Sequence, residues 1–356
     1  RAGKDGNIVL IAPDIENNGI IQTDGGKITL AAGQELTLTS LDDPQIRFQV
    51  QAPENEVLNL GQVLTNGGAI DLFAGTITHS GEINSESLTL DASGNITFKA
   101  MADITLSQES QVKAISASLA IESIEGELLQ QGTLSANQLN LTASMVNNVG
   151  HTQASRTDIN SAEINIKADS VLQQGVLKAA GGSIDIQANS IYHQGLTSTD
   201  DFTATGGNIS ITTTHRFDAT ASSLISAKGE IGGSISLDGT TGQIVTSATL
   251  DASGTDSGGT VEVTAGTVAL LNADIKADGG TTGGKIHIGG EWQGSGDLEQ
   301  SQEVIVGVGS ELSATGQVGG EIVIWSTEST SFYGSADTSG ILKGGQIELS
   351  SLGTLD

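Results

Sequence analysis

The sequence predicts a right-handed parallel β-helix. Three observations predict it: a Gly-Gly-x-apolar-x-apolar motif that recurs at a nearly fixed period, a second motif in phase with it, and strict alternation of apolar and polar residues inside each copy. A fixed period of about 20–50 residues is the signature of a repeat architecture.

The glycine pairs come first. They open "GGSIDI" at 181–186, "GGNISI" at 206–211, "GGSISL" at 232–237, "GGTVEV" at 258–263, "GGKIHI" at 283–288, "GGEIVI" at 319–324 and "GGQIEL" at 344–349. Successive copies stand 25 or 26 residues apart, except for one gap of 36 between 283 and 319. A Leu/Ile-x-Ala-x-Gly cluster keeps the same phase upstream. It reads "LKAAG" at 177, "ISAKG" at 225, "LDASG" at 250, "IKADG" at 275 and "LSATG" at 312.

Each motif then reads as a strand with one buried face, because apolar residues recur every second position. Inward positions are aliphatic and mostly β-branched, as at Ile184 and Ile186, Ile209 and Ile211, or Val261 and Val263. Such side chains fit a packed pleated surface. The glycine pair is expected to supply turn conformations closed to other residues. No stretch has helical period. Two or three short strands per turn, with like residues at like positions, describe coil stacked on coil. A propeller blade needs about 40 residues or more. Right-handedness follows the preference of parallel crossovers. Roughly 14–18 rungs at the strand spacing of ~4.8 Å would make a rod about 70–85 Å long.

The first half repeats the pattern more loosely, at "GGKITL" (25–30), "GGAIDL" (67–72), "SGNITF" (93–98), "NQLNLTA" (137–143) and "AEINIKA" (162–168). Rungs of about 20–26 residues are expected in one elongated segment spanning 1–356, cut from a longer chain. Two insertions interrupt it. One lies at about 41–66 and holds Pro44 and Pro53, and the other is "GGEWQGSGDLEQSQEV" at 289–304. Insertions in a solenoid become loops on one face, often the binding face.

Composition narrows the function. The net charge is −28 with only 14 Lys and Arg among 356 residues, which argues against nucleic acid and anionic membrane as partners. Ca²⁺ held by surface Asp and Asn is compatible with such a surface, but the Ca²⁺-binding nonapeptide repeat is absent and no metal site can be named. Cysteine is absent, as is any run of about 20 apolar residues that would insert into a membrane.

The chain resembles the large exoproteins of bacterial two-partner secretion, the filamentous-haemagglutinin-like adhesins. The carrying stretches are "GNIVLIAPDIENNGIIQTDGGKITLAAGQELTL" at 6–38, "VQAPENEVLNLGQVLTNGGAIDLFAG" at 50–75, "GGKIHIGGEWQGSGDL" at 283–298 and "GGEIVIWSTESTSFYGSADTSG" at 319–340. The resemblance covers most of the chain and is weakest over 100–175. It implies a right-handed β-helix, a secreted or cell-surface location and a role in adhesion and biofilm. It also implies an outer-membrane transporter as partner during secretion. The Asn-Pro-Asn motifs of that family's secretion domain are missing here, so this segment is expected to follow that domain.

An enzyme on this scaffold, the alternative, would need two or three carboxylates close together on adjacent rungs. The middle outward position of the glycine-pair strand reads Asp185, Ser210, Ser236, Glu262, His287, Val323, Glu348, with no two neighbours acidic. Glu262 beside His287 is the one suggestive pair, and a surface ion pair accounts for it. "TDD" at 199–201 after Tyr192 and His193 reads as a solvated turn. Nucleophile motifs, metal-ligand spacing and phosphate loops are absent.

The expected function is therefore non-enzymatic: a stiff segment that presents a glycan or protein receptor with a long surface for multivalent contact. A passive spacer is the other reading. The binding face is placed at the 289–304 loop, with Trp292 as stacking surface, Glu291 and Asp297 as acceptors or cation ligands, and Trp325 and Tyr333 about one rung later.

Overall fold

The computed structural model describes residues 1–33, 55–86, 94–157 and 161–356. The chain divides into two compact units, residues 1–160 with 165–168, and residues 161–164 with 169–356. Each is a right-handed parallel β-helix, in which each strand pairs in parallel with its counterpart on the next coil. Among the described residues the only helical element is a single 3-10 turn, Trp292–Gly294.

One coil has three faces. In the first unit the first face runs through Gln62–Thr65, Glu82–Asn84 and the start of Gln111–Ser123. The second face holds Ile28–Ala32, Ile70–Ala74 and Ile96–Ala100. The third holds Glu56–Asn59, Thr76–His79, Ile104–Leu106 and Glu127–Gln130. Two stretches expected as several short strands are continuous, Gln111–Ser123 and Thr133–Asn148. Gln111–Ser123 turns its corner by a register shift between Ala114 and Ser118 rather than by a glycine pair.

Of the stretch expected to be inserted at 41–66, residues 41–54 lie outside the described residues. Glu56–Asn59 and Gln62–Thr65 are ordinary rung strands with Val57 and Val63 fully buried. Asn59 closes the first of these strands and points inward, which breaks the apolar alternation. Its side-chain carbonyl oxygen accepts from Asn17 at 2.7 Å, and its amide nitrogen lies 3.0 Å from His79 Nδ1. This buried polar column fills the corner before a glycine at 19, 61 and 81. Gln130 bonds to Gly132 and Gly150 at an equivalent corner, and Gln173 to Gly175. A buried amide is tolerable because its polar atoms find a turn backbone group or a neighbouring buried side chain. Asn/His/Gln-x-Gly is thus a second repeat of the sequence, and it sets the third-to-first corner.

In the second unit the second face carries the glycine-pair strands in strict register. Asp185, Ser210, Ser236, Glu262, His287, Val323 and Glu348 form one column. Flanking them, Ile184, Ile209, Ile235, Val261, Ile286 and Ile322 are buried at 0–1 % exposure, as the alternation requires. Phe98, in the first unit, is buried in the same way. Each fully buried Leu, Ile or Val contributes roughly 1.5–3 kcal/mol by leaving water, so these ladders dominate the cohesion of the coil.

The glycine pairs here act differently from expectation. Those at 206, 232, 258, 283 and 319 are not in the left-handed region. A Cβ on Gly232 would run into the Ala252 carbonyl, and one on Gly233 into the Gly207 carbonyl. The pair is needed for close approach of neighbouring coils. The upstream Ala-x-Gly cluster belongs to the same device. Ala227 accepts from Gly233 N–H at 2.7 Å, Ala252 from Gly259 at 2.8 Å, Ala277 from Gly284 at 2.6 Å and Ala314 from Gly320 at 2.8 Å. Each bond closes the neck of a short arm that leaves the wall between the first and second faces. Successive arms pair in parallel through Asp201–Thr205, Gly229–Ile231 and Gly254–Ser257, then by bridges to Gly279, Thr282 and Val318. Gly316–Val318 pairs with Gly340–Lys343. The arms form a narrow fin along the unit.

Candidate binding loop

The loop expected at 289–304 lies between a second-face strand, Lys285–Ile288, and a third-face strand, Glu303–Val306. Its neck closes where Ser301 N–H donates to the Gly289 carbonyl at 2.8 Å. Gly289, with φ of 81°, sits against the Trp325 carbonyl where a Cβ has no room. The loop folds along the rungs that follow it. Gly290 and Gly294 lie on the Trp325 ring, and Gln293 N–H donates to Glu348 Oε2 at 2.8 Å. Gln293 itself takes a left-handed φ of 56° to make that turn.

Trp325 is 3 % exposed. It is the floor on which the loop rests, not a surface open to a ligand. Trp292, in the 3-10 turn, is half-buried, and Ser295 closes that turn by donating to the Trp292 carbonyl at 3.1 Å from its N–H. Glu291 is held within the loop: its carboxylate accepts from Leu298 N–H at 3.3 Å and packs against Gly296. Asp297 is exposed. Tyr333 is 51 % exposed and donates its hydroxyl to Asp356, which raises its pKa above the ordinary value. One loop therefore carries Trp292, Glu291 and Asp297 and rests on Trp325, while Tyr333 has a separate partner.

His287 and Val323 stand at outward positions yet are buried. Register places His287 beside Glu262, as the sequence suggests, but its Nε2 pairs with Glu321 Oε1 at 2.9 Å. The Tyr192–His193–Asp200–Asp201 stretch is no cluster. His193 points inward and is fully buried, with Nε2 2.8 Å from the Thr197 hydroxyl, while Tyr192 is exposed. Burial alone lowers the His193 pKa to about 4. Asp200 Oδ1 accepts from Ser226 and from Lys228 N–H, both at 2.6 Å. Among the described residues no three His, Cys, Asp or Glu side chains stand close enough to hold a metal ion. No helix among them is long and apolar enough to cross a membrane.

Paired strands bring two acids opposite each other at Asp274 and Glu311. Lys276 Nζ lies 2.6 Å from Asp274 Oδ2, which neutralises half of that pair. The sequence signal for this column is the Leu/Ile-x-Ala-x-Gly cluster, whose Leu250, Ile275 and Leu312 stand in one register with Asp274 and Glu311 just before the last two.

No protein-family model matches the chain, and no curated protein matches it. Among solved structures it is similar to the secretion domain of HMW1 from Haemophilus influenzae. The identity is 17 % over 99 % of this chain and 93 % of that one, with a TM-score of 0.48. At that level the likeness assigns nothing to this chain.

Proposed function

We propose that the chain is a non-enzymatic binding segment of a large secreted bacterial surface adhesin, exported by an outer-membrane transporter that engages a different domain. The family resemblance of the sequence motifs supports secretion and adhesion. The observation that carries the binding role is the 289–302 loop. It is tethered at its neck, at Gln293 and by Trp325 beneath it, and it carries the half-buried Trp292. A large aromatic on a rigid mount offers contact area at low entropic cost, suited to the face of a sugar ring or an apolar patch of a protein receptor. Repetition of weak contacts along neighbouring segments would supply avidity.

Adhesion of the purified chain to epithelial cells and to a glycan array tests this reading, with Trp292→Ala beside the parent. The expected result is a melting temperature within a few degrees of the parent and at least about tenfold weaker attachment. Equal attachment by the variant overturns the site. Shortening of acidic or neutral polysaccharides by the parent chain would replace the adhesin reading with the enzymatic one.

A further inference from the structure

We propose a second binding site, on the third face of the second unit around Tyr192, that takes a neutral polysaccharide chain laid across successive rungs. The proposal rests on the reading of this chain as a binding segment, and the site is separate from the 289–302 loop.

Four stacked strand segments carry the site. Residues 190–193 and 216–219 and the strands Gln243–Thr246 and Thr267–Leu270 pair in parallel, one rung after another. Their outward positions form two columns. One reads Ser190, Arg216, Gln243, Thr267 and is polar throughout. The other reads Tyr192, Asp218, Val245, Ala269 and is apolar except at Asp218. Coils continue on both sides, with Glu163–Gln173 before and Glu303–Val306 after, so the surface is set by the fold itself.

The polar side chains hold one another in place and keep capacity for a ligand. Arg216 donates from Nε and Nη2 to the two oxygens of Asp218, at 2.5 and 2.8 Å, and from Nη1 to Gln243 Oε1 at 3.2 Å. A guanidinium has five N–H donors, so two remain. Gln194 Nε2 donates to the Tyr192 hydroxyl oxygen at 3.0 Å, and Gln174 Nε2 donates to Gln194 Oε1 at 2.8 Å. The Tyr192 hydroxyl keeps its own hydrogen, and the residue is 41 % exposed. A pinned aromatic ring beside a pinned guanidinium–carboxylate pair matches a pyranose, which has C–H groups on its face and hydroxyls at its rim. Because these groups are already ordered, binding costs little further side-chain entropy.

Charge and size select the occupant. One Arg and one Asp balance over these four rungs, whereas the second-face strands of the same coils carry Asp185, Asp238 and Glu262 outward and no Lys or Arg. The chain as a whole carries −28, so an anionic glycan is repelled at long range. Four residues per strand and four rungs span about 13 by 14 Å, roughly 200 Å². That is far below the ~800 Å² per partner of a stable protein interface, which argues against a second copy of this chain. Each strand here is paired on both sides, which leaves no sheet edge for an extended peptide. Geometry favours a chain over a single sugar. Tyr192, the Arg216–Asp218 pair and Gln243 with Val245 lie on successive rungs, and rungs repeat at ~4.8 Å, close to the length of one sugar ring in an extended glycan.

Saturation-transfer NMR and calorimetry on the 356-residue chain test this, with malto-, cello-, laminari- and mannohexaose as neutral probes and oligogalacturonate as the charged control. At least one neutral hexaose is expected to bind and oligogalacturonate not to. Tyr192→Ala and Arg216→Ala should each weaken binding about tenfold with little change in melting temperature, since both side chains are exposed. Tyr192→Phe keeps the ring and should retain most of the affinity. Trp292→Ala should leave hexaose binding unchanged. Three results overturn the site: no neutral hexaose binds, Tyr192→Ala and Arg216→Ala bind as the parent does, or oligogalacturonate binds as tightly as the neutral chains. Weakened cell attachment in Trp292→Ala together with no hexaose binding by the parent would sink this site and leave the loop reading standing. Hexaose binding that Tyr192→Ala weakens, with cell attachment unaltered in Trp292→Ala, would sink the loop and keep this site.

Discussion

Gly233 N–H reaches the carbonyl oxygen of Ala227 at 2.7 Å and closes the neck of an arm whose sequence varies from coil to coil. The bond explains why two motifs separated by that arm keep one phase. Its Gly233 side also faces the Gly207 carbonyl of the preceding coil, where a Cβ has no space. Gly233→Ala should therefore destabilise the second unit by about 3 kcal/mol, the upper range for an overpacked site. Urea titrations of the variant and the parent measure this, and an unchanged midpoint would refute the close-approach account.

Trp325 anchors the loop rather than the ligand. Trp325→Ala removes a ring that is 3 % exposed and on which Gly290 and Gly294 rest. A loss of about 3–5 kcal/mol is expected for so large a buried aromatic. Limited proteolysis should then cut within 290–300 first, since the loop keeps only its neck and its Gln293–Glu348 tether. Trp325→Phe, which keeps most of the ring, should restore protease resistance. If Trp325→Ala leaves both stability and loop protection intact, the loop is held by something else.

How much is legible in the sequence follows from the range of each signal. The column from Asp185 to Glu348 can be read directly, because alternation within a strand and one period between strands suffice to fix it. The arm neck cannot, because a hydrogen bond from Gly233 to Ala227 leaves no compositional trace beyond the two residues themselves. Residues 56–65 fall in the stretch read as an insertion because the repeat period breaks there, and Asn59 sits where alternation calls for an aliphatic residue, with Asn17 and His79 satisfying it only in the structure. The Asn/His/Gln-x-Gly recurrence at 17, 59, 79, 130, 173 and 193 is present in the sequence and is the signal that reveals that corner. Of the loop residues, composition singles out Trp292 and Trp325 alike. What separates them is the return path of 289–302 across the next rung, a tertiary fact.

His193 makes stability depend on pH. Burial lowers its pKa from 6.5 to about 4, so the folded state binds this proton less readily than the unfolded state between those values. Its contribution is fully present above about 6.5 and falls as pH drops towards 4, by up to about 3 kcal/mol at 1.36 kcal/mol per pKa unit. His79, also lowered chiefly by burial, acts with the same sign in the first unit. His193→Gln should flatten the melting temperature between pH 6.5 and 4, since Gln130 and Gln173 already fill equivalent corners. A variant that loses stability on acidification as steeply as the parent would exclude His193 as the source.

Lys276 holds together a patch of like charge. Its Nζ lies 2.6 Å from Asp274 Oδ2, and that hydrogen bond raises its pKa, with further attraction from Asp251 and Asp278. Asp251 also pairs with Lys228 at 3.3 Å. Lys276→Met keeps the length of the stem and removes the charge, leaving the three carboxylates to repel one another and Glu311, which pairs opposite Asp274. Because both partners are about two-fifths exposed or less, at 40 % and 35 %, the loss should be modest, about 1 kcal/mol in low salt. Screening should then reverse it: raising ionic strength to about 1 M, where charges more than about 3 Å apart are damped, brings the variant back towards the parent. Midpoints of thermal unfolding at the two salt concentrations measure this. A deficit that persists unchanged in high salt would mean that the lysine stem packs against the wall and that its charge contributes little.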